Sequence, residues 1–244
     1  MKNAIATAGL ALCVAAGAGA DECPCPSPSP GVDPNYSRLL FAPTARPLAR
    51  GDGHFADYEL LFPGVAYGVT DNFSIGAGLS VIPGLGLREQ VFYVAPKLGF
   101  NLGERGAVAV GGLFAQAGPW DDYDRNDSIG AGYAIGTLGG RRRSLSLGIG
   151  AVKEINGGPA TPLLMLGGSA TVARHVALVG ESWVRLGETF ETREQALGLG
   201  VRFFGEKLSA DVGVVLLSDV WNEGFPAPWG SITYHFGGRG RPKN

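Results

Sequence analysis

After its first twenty residues, the 244-residue chain has no run of eighteen uninterrupted apolar residues, which excludes transmembrane helices. Charge is sparse: Lys, Arg, Asp and Glu make up 17% of the chain, below the usual share of about 25%. The formal charge is −2 and becomes −3 once Lys2 is removed, so there is no basic field for nucleic acid. Of the three cysteines, Cys23 and Cys25 are separated by a proline that makes a local disulfide awkward. Cys13 lies in an N-terminal apolar stretch. Cys23 and Cys25 flank Pro24, with neither a histidine nor a second cysteine pair near enough to complete a metal site. No metal and no cofactor is expected. Histidine is limited to His54, His175 and His235.

What the chain does have is glycine, 40 residues of 244, more than twice the usual share of about 7%. No Gly-X-Y period runs through it, and 45% apolar residues are too many for a disordered chain, so the glycines belong to ordered structure. At the N-terminus, Lys2 precedes an apolar stretch from Ala4 to Ala16 and then Ala18-Gly19-Ala20, the layout of a cleaved export signal over residues 1–20. Residues 21–37 carry Cys-Pro-Cys-Pro-Ser-Pro-Ser-Pro from Cys23 and read as a stiff periplasmic leader. Residues 237–244 form a basic tail.

Between leader and tail, period-two alternation recurs. Leu208, Ala210, Val212, Val214 and Leu216 alternate with Ser209, Asp211 and Gly213, and Phe73, Ile75, Ala77 and Leu79 alternate with Ser74, Gly76 and Gly78. A soluble sheet also alternates, so spacing has to decide. Cutting at Gly, Pro, Asn and Asp clusters gives about twelve segments: 38–48, 56–69, 73–82, 90–101, 106–117, 128–138, 143–153, 163–172, 175–186, 193–204, 207–217 and 228–236. Their connections run long, short, long, short, as in an outer-membrane barrel with external loops and tight periplasmic turns. Closure also follows from physics, because an open sheet in hydrocarbon leaves two edges of unpaired backbone groups. The fold expected is all-β, a closed antiparallel transmembrane β-barrel over 38–236 of about 12 strands (range 8–14). Aromatics near segment ends suggest two girdles: Tyr67, Phe73, Phe100, Phe204 and Phe236 toward the turns, and Phe55, Tyr58, Phe92, Trp120, Phe190, Trp221, Phe225 and Trp229 toward the loops.

Three stretches carry a resemblance: Phe41-Ala42-Pro43-Thr44-Ala45-Arg46-Pro47-Leu48, Tyr67-Gly68-Val69-Thr70-Asp71-Asn72-Phe73-Ser74-Ile75-Gly76, and the closing Tyr234-His235-Phe236. With them the chain resembles a broad family of uncharacterised bacterial outer-membrane β-barrel proteins. The resemblance implies a fold and an address, the outer membrane of a Gram-negative cell, and no activity. The closing aromatic stands at Phe236, ahead of the tail, whereas such barrels often end on it.

The ionisable residues of the inward register are Glu181, Arg185, Glu194, Arg202 and Asp211, with Lys97 further round. A symmetric hairpin sets Arg185 opposite Glu194, and the next turn sets Arg202 diagonal to Asp211. Such a ladder either selects solutes at a constriction or staples the lumen. Inner-register glycines (Gly76, Gly78, Gly130, Gly132, Gly136, Gly148, Gly150, Gly198, Gly200) leave room for a channel or permit tight curvature. A plug, with the Pro-rich leader as candidate, would fill the same space. The acidic loop from Trp120 to Ser128 breaks the register of a calcium loop, with Asp127 at its sixth position and Tyr133 at its twelfth. Ser182 and Ser231 have histidines nearby, but His54, His175 and His235 fall at different heights of the barrel, so no triad forms and no catalytic residue is expected. The reading is a passive channel or structural membrane protein. The alternatives are a surface-exposed binding module acting through loops 118–127, 154–162 and 218–227, and a lipid-acting barrel enzyme. Its expected partners are outer-membrane lipid, lipopolysaccharide and the barrel-insertion machinery.

Overall fold

The computed structural model describes residues 31–118, 127–155, 157–186, 194–217 and 226–237, without the side chains of Asp127 and Glu194. The export signal, most of the leader and the basic tail lie outside the described residues. Loops 118–127, 187–192 and 218–227 lie mostly outside them, with Trp120, Phe190, Trp221 and Phe225.

Twelve antiparallel strands close into a barrel: β1 (Gly53–Tyr58), β2 (Phe62–Gly68), β3 (Phe73–Leu79), β4 (Phe92–Asn101), β5 (Gly106–Ala117), β6 (Asp127–Gly139), β7 (Arg143–Glu154), β8 (Thr161–Ala173), β9 (Val176–Arg185), β10 (Glu194–Phe204), β11 (Leu208–Leu217) and β12 (Ala227–Phe236). Each strand pairs with its chain neighbours. β1 closes on β12 in a register running from Gly53↔Phe236 to Tyr58↔Ser231, so no edge is left unpaired. Short connections gather at one end of the barrel and, apart from the three-residue β1–β2 turn, the longer ones at the other.

The outer face is apolar and exposed: Leu147 at 62%, Val212 at 60% and Leu178 at 50%. On the same strands, Ser146, Asp211 and Ala177 are buried on the inner face. Apolar outside and polar inside is the arrangement of a barrel immersed in hydrocarbon.

The strand count matches the expectation by two departures that cancel. The segment 38–48 is not a strand but lies inside the barrel. Its Leu39 and Leu40 are adjacent and both fully buried, which no two-faced strand allows, and Pro43 and Pro47 cannot donate to a ladder. The segment 56–69 is two strands, because the chain reverses at Glu59 and Leu60. Both have positive φ (56° and 58°), and Leu61 N donates to Tyr58 O at 3.1 Å, as in a type I′ turn. Glycine or asparagine normally marks such a turn; here Glu59 Oε1 accepts from Gly230 N across the barrel seam.

The aromatic girdles also need correction. Phe55 belongs to the turn end, 5.2 Å from Phe236, and Tyr67 stacks on Phe236 at 6.5 Å. Tyr58, Phe204 and Trp229 share the inward register of Ala56, Arg202 and Ser231 and face the lumen. Gly130, Gly132 and Gly136 are outward. Tyr133, Ile135 and Thr137 hold the inner positions of β6, and a Cβ at any of the three glycines would meet nothing within 4 Å.

Candidate functional site: the plugged lumen

A twelve-strand barrel is too wide for its own side chains to fill, and its inner half-space must hold water or protein. Here residues 31–50 fill the end nearest the short turns. The chain comes in where Gly31 N donates to Arg174 O at 2.9 Å, beside the β8–β9 turn. It rises to a tip at Phe41 and returns past Ala45 and Arg46, whose guanidinium donates to Gly139 O beside the β6–β7 turn. Leu39 N donates to Ala42 O and Thr44 N to Ser37 O, which makes the insert a narrow hairpin. Residues 33–37, expected in the periplasm, lie within this plug.

The luminal ionisable residues hold it. Arg202 is fully buried and donates through Nε and Nη2 to Asp211, at 2.6 and 3.0 Å. Its remaining donors reach the plug, Nη1 to Asp33 Oδ2 at 3.0 Å and Nη2 to Leu39 O at 2.6 Å. From the plug side Arg38 donates to Leu40 O and Thr233 Oγ1, and lies 3.5 Å from Asp211. Lys97 Nζ donates to three plug carbonyls: Ser37 O at 3.2 Å, Thr44 O at 3.1 Å and Arg46 O at 2.9 Å. The Glu181 carboxylate accepts from Phe41 N, from Ala42 N at 3.0 Å and from Trp183 Nε1 at 3.2 Å. On the opposite wall Thr137 Oγ1 accepts from Ala45 N at 2.8 Å. At the turn end Arg141 lies 4.2 Å over the Tyr36 ring. Burial raises the Tyr36 phenol above its ordinary value, and the nearby guanidinium partly offsets this.

Arg202 and Asp211 face each other directly across β10 and β11, where a diagonal pairing was expected. Arg185 and Glu194 are Cα partners as the hairpin predicts, and the Glu194 side chain lies outside the described residues. The charges are therefore not spaced along an open passage. Four of them, Lys97, Glu181, Arg202 and Asp211, converge on one peptide segment.

The inner glycines serve the same end. A Cβ at Gly198 or Gly200 would stand 3.2 or 3.0 Å from the Leu40 methyls, and one at Gly167 would overlap Leu39 Cδ1. Other glycines seat wall tyrosines, with Tyr93 lying across Gly64 and Gly78, and Tyr133 across Gly111. Leu39, Leu40, Ala42 and Ala45 join Ala107, Ala109, Ile135, Met165 and Val179 in a small apolar core within the lumen.

Neither serine singled out in the sequence forms a catalytic group. Ser231 Oγ donates to Asp211, and Ser182 Oγ accepts from Gln195. The structure instead brings Ser209 to 3.4 Å from His235 Nε2, but Ser209 is 2% exposed and capped by Asn35 Nδ2 at 2.7 Å. Among the described residues no group of three or more His, Cys, Asp or Glu could hold a metal ion.

Two solved structures of KdgM porin, one of them in complex with disordered oligogalacturonate, resemble this chain in three dimensions. The complex has a TM-score of 0.56 and the other structure 0.54; each is 9% identical, and each match covers 76% of this chain and 98% of that chain. No protein-family model matches the sequence, and no curated protein does. At that identity the likeness is one of fold, a porin-type barrel.

Proposed function

We propose that the chain works in the bacterial outer membrane as a channel-forming barrel held shut by its own N-terminal hairpin. One observation carries this reading: the buried charges of the wall spend their hydrogen bonds on the plug. A permanent core would be cheaper as hydrophobic packing, since burying ions in a protein interior is costly even when they are paired. A polar seat suits a segment that leaves, because the lumen it vacates is lined with groups that water can solvate. The porin-type fold agrees with a conducting barrel. The reading assigns no catalytic role to any residue.

The test is planar-bilayer recording of purified, refolded protein. The full chain should stay silent, and a variant lacking residues 33–48 should conduct. A deletion variant that inserts, shifts on a gel with heating as a folded barrel does, and still passes no current would refute the channel.

A further inference from the structure

The plug fills the lumen from the turn end to within about three residues of the loop ends of β9 and β12. Its tip, Phe41, has 57% of its surface exposed although it sits inside the barrel. Three wall aromatics surround it: Tyr58 at 6.4 Å, Trp183 at 6.4 Å and Trp229 at 6.5 Å between ring centroids. Tyr58 and Trp229 are themselves 5.9 Å apart. Tyr58 ends β1, while Trp183 and Trp229 stand third from the loop ends of β9 and β12. The four rings thus form the floor of a cup that is closed below and faces the longer loops.

This floor offers apolar ring faces, and the charged groups beneath it, Arg38 at 5.2 Å from the Tyr58 ring and Glu181, are already engaged. The Glu181 carboxylate is hydrogen-bonded by three N–H groups, and the Arg38 guanidinium is engaged by carbonyls, Thr233 and Asp211. The indole N–H of Trp229 is buried with no hydrogen-bond partner among the described residues, a cost in free energy that a ligand oxygen would recover where a turn of the ring brings the N–H to it. A ring face kept in water is likewise unfavourable. A solute that relieves both has a flat C–H face and a hydroxyl edge, and is uncharged.

We infer that this cup is a binding site for a neutral sugar, with a pyranose ring lying on Phe41, Trp183 and Trp229 from the loop side. Aromatic anchors with a few convergent polar groups are the usual make-up of a small-molecule site. The site does not depend on conduction, since the closed state alone carries it. It is nevertheless joined to the plug, because Trp183 Nε1 and the Phe41 and Ala42 amides share one carboxylate, Glu181.

The experiment is isothermal titration calorimetry of the refolded full chain in detergent with maltohexaose, cellohexaose and, as the acidic counterpart, a galacturonate hexamer. At least one neutral hexamer should bind saturably. Phe41→Ala and Trp229→Phe should each weaken it roughly three- to tenfold, the loss of one ring contact or hydrogen bond, while both variants keep the heat-dependent gel shift. Leu60→Ala, at an exposed turn outside the cup, should change nothing. The inference is overturned if neither neutral hexamer binds, if both variants bind as well as the parent, or if the acidic hexamer binds at least as tightly.

Discussion

Replacing Arg202 by methionine separates the plug from the wall at its most connected point. The substitution removes two bonds to Asp211, one to Asp33 and one to Leu39 O. Asp211 keeps Ser231 Oγ at 3.0 Å and Arg38 at 3.5 Å, so the wall carboxylate is still compensated. Asp33 loses its only ion pair among the described residues and keeps one backbone N–H, that of Asn35 at 2.8 Å. Breaking a buried ion pair from one side costs about 3–5 kcal/mol. Backbone pairing between β10 and β11 runs from Ala196↔Leu217 to Phe204↔Ser209 and holds the barrel, so the cost falls on the closed state. Plug departure returns Asp33 to water and relieves it. At about 1.4 kcal/mol per factor of ten, the open population should rise by roughly two to three and a half orders of magnitude. The assay is the labelling rate of Ser37→Cys, whose parent serine is 6% exposed, by a membrane-impermeant maleimide, with Cys23 and Cys25 replaced by serine. Labelling that proceeds only through the open state accelerates by the same factor. Adding Asp33→Asn removes the stranded charge and should restore most of the slow rate. An unchanged rate in Arg202→Met, in protein that still shifts on heating, would falsify the argument that the ion network closes the lumen.

Sterics give an independent route: Gly167→Leu places side-chain atoms where Leu39 Cδ1 lies, and should produce bilayer currents without any change of charge. Lys97→Met takes the donor from three plug carbonyls and should speed Ser37→Cys labelling; a rate equal to the parent's would show that the ammonium holds nothing. On the outer face Leu147→Arg or Val212→Arg should cost about 2–4 kcal/mol in denaturant unfolding from lipid vesicles if these positions lie near the bilayer midplane. The inward Ser146→Ala should cost far less. Spin labels at Leu147, Leu178 and Val212 should be relaxed by oxygen dissolved in the bilayer and shielded from polar nickel complexes; the reverse pattern would place them in water.

Where alternation is strict, the sequence is legible. Ser209, Asp211 and Gly213 against Ala210, Val212 and Val214 leave one choice of face, which puts Asp211 in the lumen, and with it its β10 partner Arg202. Where both registers carry apolar or small residues, the pattern is silent. On β6, Gly130, Gly132 and Gly136 look like a stripe of inner glycines, yet Tyr133 and Thr137 take the inside, because a wall tyrosine can lie across Gly111 and glycine loses nothing facing lipid. Tyr58, Phe204 and Trp229 were misplaced for a related reason. An aromatic at a strand end suits a girdle or a lumen, and only its parity with Ala56, Arg202 or Ser231 decides. The turn at Glu59 and Leu60 was missed because it contains no glycine, proline or asparagine.

The plug was the hardest feature to read, and the reason is physical. Its signal is not a periodicity of its own but a complementarity with residues far away in the chain: Leu40 with Gly198 and Gly200, Leu39 with Gly167, Ala45 with Thr137. Each half is unremarkable alone. Inner glycines without the plug would suggest an open pore, and a Leu-Leu pair between prolines would suggest a loop. One combination in the sequence did hold information. Buried positions with ionisable groups of both signs, set beside glycines on the same inner register, leave space that charge makes expensive to leave empty of partners. Water or a polar segment must occupy it, and a segment joined to β1 by a few residues is present at high effective concentration. The same arithmetic limits how the barrel opens. The plug stays tethered to β1 through 49–52, so its escape is toward the turn end and takes the Phe41 tip away from the wall aromatics, so that a solute held on that tip from the loop side favours the closed state.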